Sequence, residues 1–112
     1  MNRYAAAGIA NDARDGRRIL VVTHNRREAH HAFEDIARLT HNAKRIRRTN
    51  GAERIDHHNG GSVHFTTPRS HGARGLTLDT IDLDTGVEPT PDLTTELTPC
   101  LATSRDGELI RA

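Results

Sequence analysis

The sequence is nearly devoid of aromatic residues, with no tryptophan, one tyrosine and two phenylalanines, or 3% of 112 positions. Any core must therefore be assembled from Ala, Leu, Ile and Val. Cysteine is almost absent too. Cys100 is alone, which excludes an intramolecular disulfide and a multi-cysteine zinc site and fits a reducing compartment. No apolar run approaches the roughly 18–20 residues of a membrane span. The segment Met1 to Ala7 carries no apolar stretch of signal-peptide length, so a soluble chain with no membrane contact is expected. Net charge is only +1, which removes one half of the usual signature of disorder although hydrophobic residues make up just 34%. At 112 residues against roughly 150 for an average domain, the chain has room for one modest core and not for a two-domain enzyme.

The near-zero net charge conceals a split. Residues 1–75 carry 14 Lys and Arg against 7 Asp and Glu, and residues 76–112 carry 2 against 8. A basic first part suits contact with a polyanion. An acidic last part suits a cation, or pairing with the basic part within one fold.

The pattern predicts a helix over 3–14, stopped at Asp15-Gly16, and then a strand over 18–23 whose continuous apolar run implies burial on both faces. A second helix is predicted over 26–39. Asn25 caps it with Glu28 three residues on, and Ala29, Ala32, Phe33, Ile36 and Ala37 form one apolar stripe. Residues 44–67 read as a half-exposed antiparallel meander turning at Asn50-Gly51 and at Asn59-Gly60-Gly61. A Gly/Arg loop follows over 69–75, then a strand over 76–84 ending in acids. A helix opens at Pro91 behind a Thr90 cap and runs to about 103, with Pro99 expected to kink it, and a last strand begins at Glu108.

Three groups of residues carry possible chemistry. Arg45, Arg47, Arg48 and Arg54 lie on the meander, with alternation sending Arg45 and Arg47 to one face and Arg48 to the other. Such a hairpin can track a phosphate backbone with salt-dependent, sequence-independent affinity, because no aromatic is interleaved to stack on bases. It also reads as a solvated basic face. Arg69 and Arg74 on the Gly/Arg loop are further phosphate-binding candidates, on what is otherwise a surface connection. Asp82 and Asp84 fall on one side of a strand end and are positioned to share a cation, or are simply polar residues at an exposed terminus. The eight histidines include the adjacent pairs His30-His31 and His57-His58, which lack the i, i+4 spacing of a helical zinc site. His57 and His64 approach across the second hairpin without an evident third ligand, and Cys100 on an apolar helix face reads as core.

The order of these segments resembles the ATPase domain of the phage terminase large subunit. The resemblance rests on Arg18 to Thr23 with Arg26 to Ala29, Arg47 to Gly51, Glu53-Arg54-Ile55, Gly61 to Phe65, Gly72-Ala73-Arg74-Gly75, Leu78 to Asp84, and Ser104 to Ile110. It implies an α/β fold, a partial P-loop-NTPase-like (RecA/ASCE-type) sheet flanked by helices, with a small antiparallel β-meander insertion. It makes residues 78–84 the Walker B strand, with Asp84 at the position of the Mg²⁺-orienting acid and Thr85 where the family has a catalytic Glu. A hydroxyl is a poor general base. The first helix matches the one that follows the family's phosphate loop, and no Gly-Lys-Ser/Thr loop is present, so nucleotide binding and hydrolysis are expected to be near zero. In the family the phosphate-loop strand lies beside the Walker B strand. Here, either residues 108–111 pair with 78–84 in its place or an edge is left open to a second copy or a partner strand.

The expectation is a catalytically silent, phage-encoded module of the host cytoplasm. It would bind DNA by weak non-specific phosphate contacts, or a phage or host protein, with no resident cofactor unless Mg²⁺ at Asp82 and Asp84. The alternative is an ATPase fragment of a packaging motor or helicase completed by a partner chain that supplies the phosphate loop.

Overall fold

Arg18–Val22 is the strand on which the molecule is built. In the computed structural model, which describes residues 1–69, 75–101 and the backbone of 108–111, the chain runs α1 (Arg3–Arg14), β1 (Arg18–Val22), α2 (Arg26–Arg38), β2 (Arg45–Arg47), β3 (Arg54–Asp56), β4 (Ser62–Thr66), β5 (Thr80–Leu83), α3 (Pro91–Leu101) and β6 (Glu108–Arg111). The strands form one mixed sheet in the order β2-β3-β4-β1-β5-β6. β1 lies parallel to both β4 and β5, and β6 lies parallel to β5, while β2-β3 and β3-β4 are antiparallel.

The helices begin where the sequence provides caps. Asn2 accepts from the Ala5 N–H at 2.8 Å and Asn25 from the Glu28 N–H at 2.9 Å, each satisfying a donor that helix geometry leaves unpaired. Thr90 accepts from the Leu93 N–H at 3.2 Å ahead of Pro91. Pro99 is contained within α3.

Alternation along β1 divides the core in two. Ile19 and Val21 face α1 and α2, joining Ala6, Phe33, Ile36, Ile55, Val63 and Phe65 in one apolar layer. Phe33 and Phe65 meet edge to face with centroids 5.6 Å apart, the geometry their quadrupoles prefer. Leu20 and Val22 face the other way and pack with Ile81, Leu83, Leu93, Leu97 and Cys100 under α3. Cys100 is thus a core residue, its thiol pushed up by burial and secondarily by Glu96.

Two expectations change, and one pair of alternatives is decided. The meander pairs antiparallel over β2, β3 and β4 as expected but is not half-exposed throughout: β4 is buried and pairs along its whole length with β1, so its last strand is central to the sheet. The strand expected over 76–84 shortens to Thr80–Leu83. Leu78 instead anchors a bend, its N–H donating to the Cys100 carbonyl and its side chain lying in the α3 layer. Of the two alternatives for the far edge, residues 108–111 take the first and pair with β5, which makes β2 and β6 the outermost strands.

Candidate phosphate-binding groove and buried carboxylate pair

Register decides where the arginines point. Ile46, Ile55 and Val63 are cross-strand neighbours in the α1/α2 layer. Arg45, Arg47, Arg54 and His64 therefore project from the opposite face, the side on which α3 sits. Among the described residues, the α3 layer takes apolar side chains from β1 and β5 and none from β2, β3 or β4. The part of that face that the described residues leave uncovered is a groove of about 470 Å³. Its walls carry Arg18, Lys44, Arg45, Arg54, Asp56 and His64. The Gly60-Gly61 turn floors one end, and Gly75 to Thr77 bound one side.

Two of the cations are fixed in place. Arg54 Nε donates to Asp56 Oδ1 at 2.8 Å. Arg18 donates through Nε and Nη2 to the Asp79 carboxylate at 3.0 and 3.1 Å, which holds its guanidinium above the usual value against the opposing effect of burial. Lys44 and Arg45 are exposed at the mouth. His64 is half-buried between these charges. Burial first, and Arg54 second, push its imidazole below 6.5, with Asp56 opposing. The groove is cationic at neutral pH without His64 and gains a charge when that ring is protonated.

The predicted phosphate-binding residues divide accordingly. Arg45 and Arg54 line the groove, and Arg47 continues the same face along β2. Arg48 points to the other side, as alternation requires, where it donates to Glu34 at 2.9 Å and lies 5.6 Å over the Phe33 ring. It is committed to the fold and takes no part in the groove. Arg69 is exposed, just beyond the carboxyl end of β4, and Arg74 lies outside the described residues. Lys44, Arg18 and His64 join the groove although no local motif singles them out.

Asp82 and Asp84 lie at the carboxyl end of β5. There strand order departs in both directions from β1, the place where open α/β sheets form a crevice. They are not exposed polar residues. Asp82 is 7% and Asp84 5% accessible, and one carboxylate oxygen of each is buried without a hydrogen-bond partner. Burial and then the neighbouring Asp84 push Asp82 up to about 6. The Met1 α-amino group lies 3.6 Å from Asp84 Oδ2. Two neighbouring carboxylates with unpartnered oxygens are the donor type that a hard cation such as Mg²⁺ takes. Among the described residues, however, no third His, Cys, Asp or Glu completes a cluster there, and His57 and His64 gain no third partner either.

A third buried carboxylate escaped sequence reasoning. The Glu53 side chain is fully enclosed, accepting from Arg26 Nη2 at 2.6 Å and from the Gly51 N–H at 3.0 Å, with His30 Nδ1 3.8 Å from its other oxygen. It joins α2 to the β2–β3 turn, and the only local hint is its place beside the Asn50-Gly51 turn.

No protein-family model, no curated protein and no solved structure matches this chain. The groove and the carboxylate pair stand on their own geometry. No helix among the described residues is long and apolar enough to cross a membrane.

Proposed function

We propose that the protein is a catalytically silent, terminase-like accessory module that binds nucleic acid through phosphate contacts. The observation that carries this reading is the cationic groove on the face of β2, β3 and β4 opposite α1 and α2, with Lys44 and Arg45 at its mouth and Arg54 and Arg18 fixed in its walls. An array of this kind binds a polyanion by releasing counterions, with an affinity that falls steeply with salt.

The silent half of the proposal draws on the carboxyl edge of the sheet. Thr85, at the position where the resemblance places a general base, is an exposed threonine. β6 lies against β5, where the resemblance would put a phosphate-loop strand. The test is retention on immobilised DNA with elution by a salt gradient, together with titration of a fluorescent ATP analogue in Mg²⁺. Elution well after a neutral control, earlier for an Arg45→Ala/Arg47→Ala variant, is expected, as is no nucleotide binding tighter than high micromolar. Flow-through at low salt overturns the binding half, and tight nucleotide binding overturns the silent half.

One observation favours a second reading, an ATPase fragment completed by a partner chain. The buried, unpartnered oxygens of Asp82 and Asp84 lie at the carboxyl end of β5, the end of an open sheet at which a phosphate-bearing ligand with its cation would bind. That reading requires the partner to displace β6, and nucleotide binding appearing only on mixing with such a partner would establish it.

A further inference from the structure

The shape of the groove narrows the kind of nucleic acid that fits it. We propose that it seats the sugar–phosphate backbone of a single strand, one or two nucleotides deep, with the next phosphates carried outward along β2 by Arg45 and Arg47. This rests on the nucleic-acid reading above and specifies its ligand. At about 470 Å³ the groove is in the size class of pockets that enclose small molecules, roughly 300–1,000 Å³. A duplex presents a convex cylinder and would touch only the rim, whereas a single strand can bend inward and place a phosphate between opposed walls.

Charge placement fits the same ligand. Arg54 and Arg18 are held by Asp56 and Asp79, so their guanidinium groups are preorganised and lose little freedom when an anion arrives. Lys44 and Arg45 are exposed and adaptable. Arg45 and Arg47 project from one face of a strand about 6.7 Å apart, a step of the same order as that between neighbouring phosphates of an extended strand.

The bases are left outside. Phe33 and Phe65 lie in the α1/α2 layer and Tyr4 on α1, so no phenylalanine or tyrosine ring reaches the groove, and the half-buried imidazole of His64 is the ring its described walls offer beside His57. Without a large stacking platform, discrimination among bases is weak, and DNA and RNA offer the same phosphodiester chemistry.

The test is fluorescence anisotropy of the full-length chain with a labelled oligo-dT, an oligo-U of equal length and a duplex of equal length, at about 50 and about 200 mM salt. Both single strands are expected to bind roughly tenfold tighter than the duplex, with a salt slope of about −0.7 for each phosphate neutralised. A Lys44→Ala/Arg45→Ala variant should lose roughly tenfold in single-strand affinity and flatten the slope by about 1.4. Both side chains are exposed, so this variant keeps its fold, and a matching melting temperature verifies that. Arg48→Ala, on the opposite face, should bind single strands like the parent chain. A duplex that binds as well as the single strands, or a Lys44→Ala/Arg45→Ala variant with unchanged affinity, overturns the groove proposal and leaves the general nucleic-acid reading standing. Absence of binding to all three probes at the lower salt overturns both.

Discussion

Asp82 and Asp84, two residues apart at the end of β5, each bury one carboxylate oxygen with no hydrogen-bond partner. Burial, reinforced by Asp84, pushes Asp82 up to about 6 from 3.8. The folded chain therefore holds a proton there that the unfolded chain releases. The stability linked to that proton is fully present below pH 3.8 and is lost as pH rises through about 6. Replacing Asp82 with Asn removes the charge and keeps the shape. Asp82→Asn is expected to raise stability at pH 7.5 by roughly 1–3 kcal/mol and to change it little near pH 4. Thermal melts of both chains at the two pH values check this. An Asn variant less stable at both would mean that the negative charge is compensated in the fold.

His64 titrates in the opposite sense. Facing it are Arg54 from β3, Asp56 at the end of the same strand, and Leu20 from β1. Burial and Arg54 place its folded pKa below 6.5, so its contribution to stability is present above pH 6.5 and declines as pH falls below that value. Binding behaves differently, because protonation adds a cation to the groove and a phosphate favours the protonated ring. Affinity for a single strand is expected to rise a few-fold from pH 7.5 to 5.5 in the parent chain. In His64→Gln the rise should be distinctly smaller, and an equal rise would place the responsible proton elsewhere.

Much of this architecture is legible in the sequence where the signal is local. Asn25 with Glu28 and the stripe from Ala29 to Ala37 define α2 almost to the residue, and the apolar run from Ile19 to Val22 defines β1. What fails is pairing. Ser62 to Thr66 alternates like a half-exposed strand, and nothing within it states that Val21 will lie beside Phe65. Leu76 and Leu78 have strand spacing, yet Leu78 serves as an anchor against α3, because distant residues rather than neighbours satisfy it. The groove has the same character. Turn positions at Asn50-Gly51 and Asn59-Gly60 set the register that brings Arg54 opposite His64, but Arg18 enters only through the parallel pairing of β1 with β4.

Gly61 is required by contact rather than by conformation. A Cβ there would sit 1.9 Å from the Ala13 carbonyl oxygen and 3.1 Å from the Gly16 Cα, both backbone atoms that cannot swing aside. Asn59 reinforces the junction, donating to the Arg14 carbonyl at 2.8 Å and accepting from the Gly61 N–H at 3.1 Å. Gly61→Ala is expected to cost about 2–4 kcal/mol by forcing α1 away from the β3–β4 turn. Gly60→Ala, where a Cβ meets nothing but φ is +92°, should cost only about 1–2 kcal/mol of backbone strain. Urea titration of the two variants gives the order, and a more damaging Gly60 variant would contradict the close approach.

Asp79 links stability to binding through Arg18. Its carboxylate accepts from the Arg18 N–H at 2.8 Å as well as from the guanidinium at 3.0 and 3.1 Å, joining the start of β1 to the residue before β5. Asp79→Asn keeps one acceptor oxygen and the side-chain volume but removes the charge. Losing charge assistance in a half-buried pair should lower stability by about 1–2 kcal/mol. The same change removes the counter-charge of a groove-lining arginine, so the local potential becomes more positive and single-strand affinity should rise, most clearly at low salt. The two effects have opposite signs. A variant that merely loosened the fold would lose stability and binding together, whereas the expected result is a lower melting temperature with tighter binding at about 50 mM salt that fades by about 200 mM. Parallel melting and anisotropy measurements on Asp79→Asn decide between them. A joint loss would mean that Arg18 contributes to the sheet junction and not to the ligand.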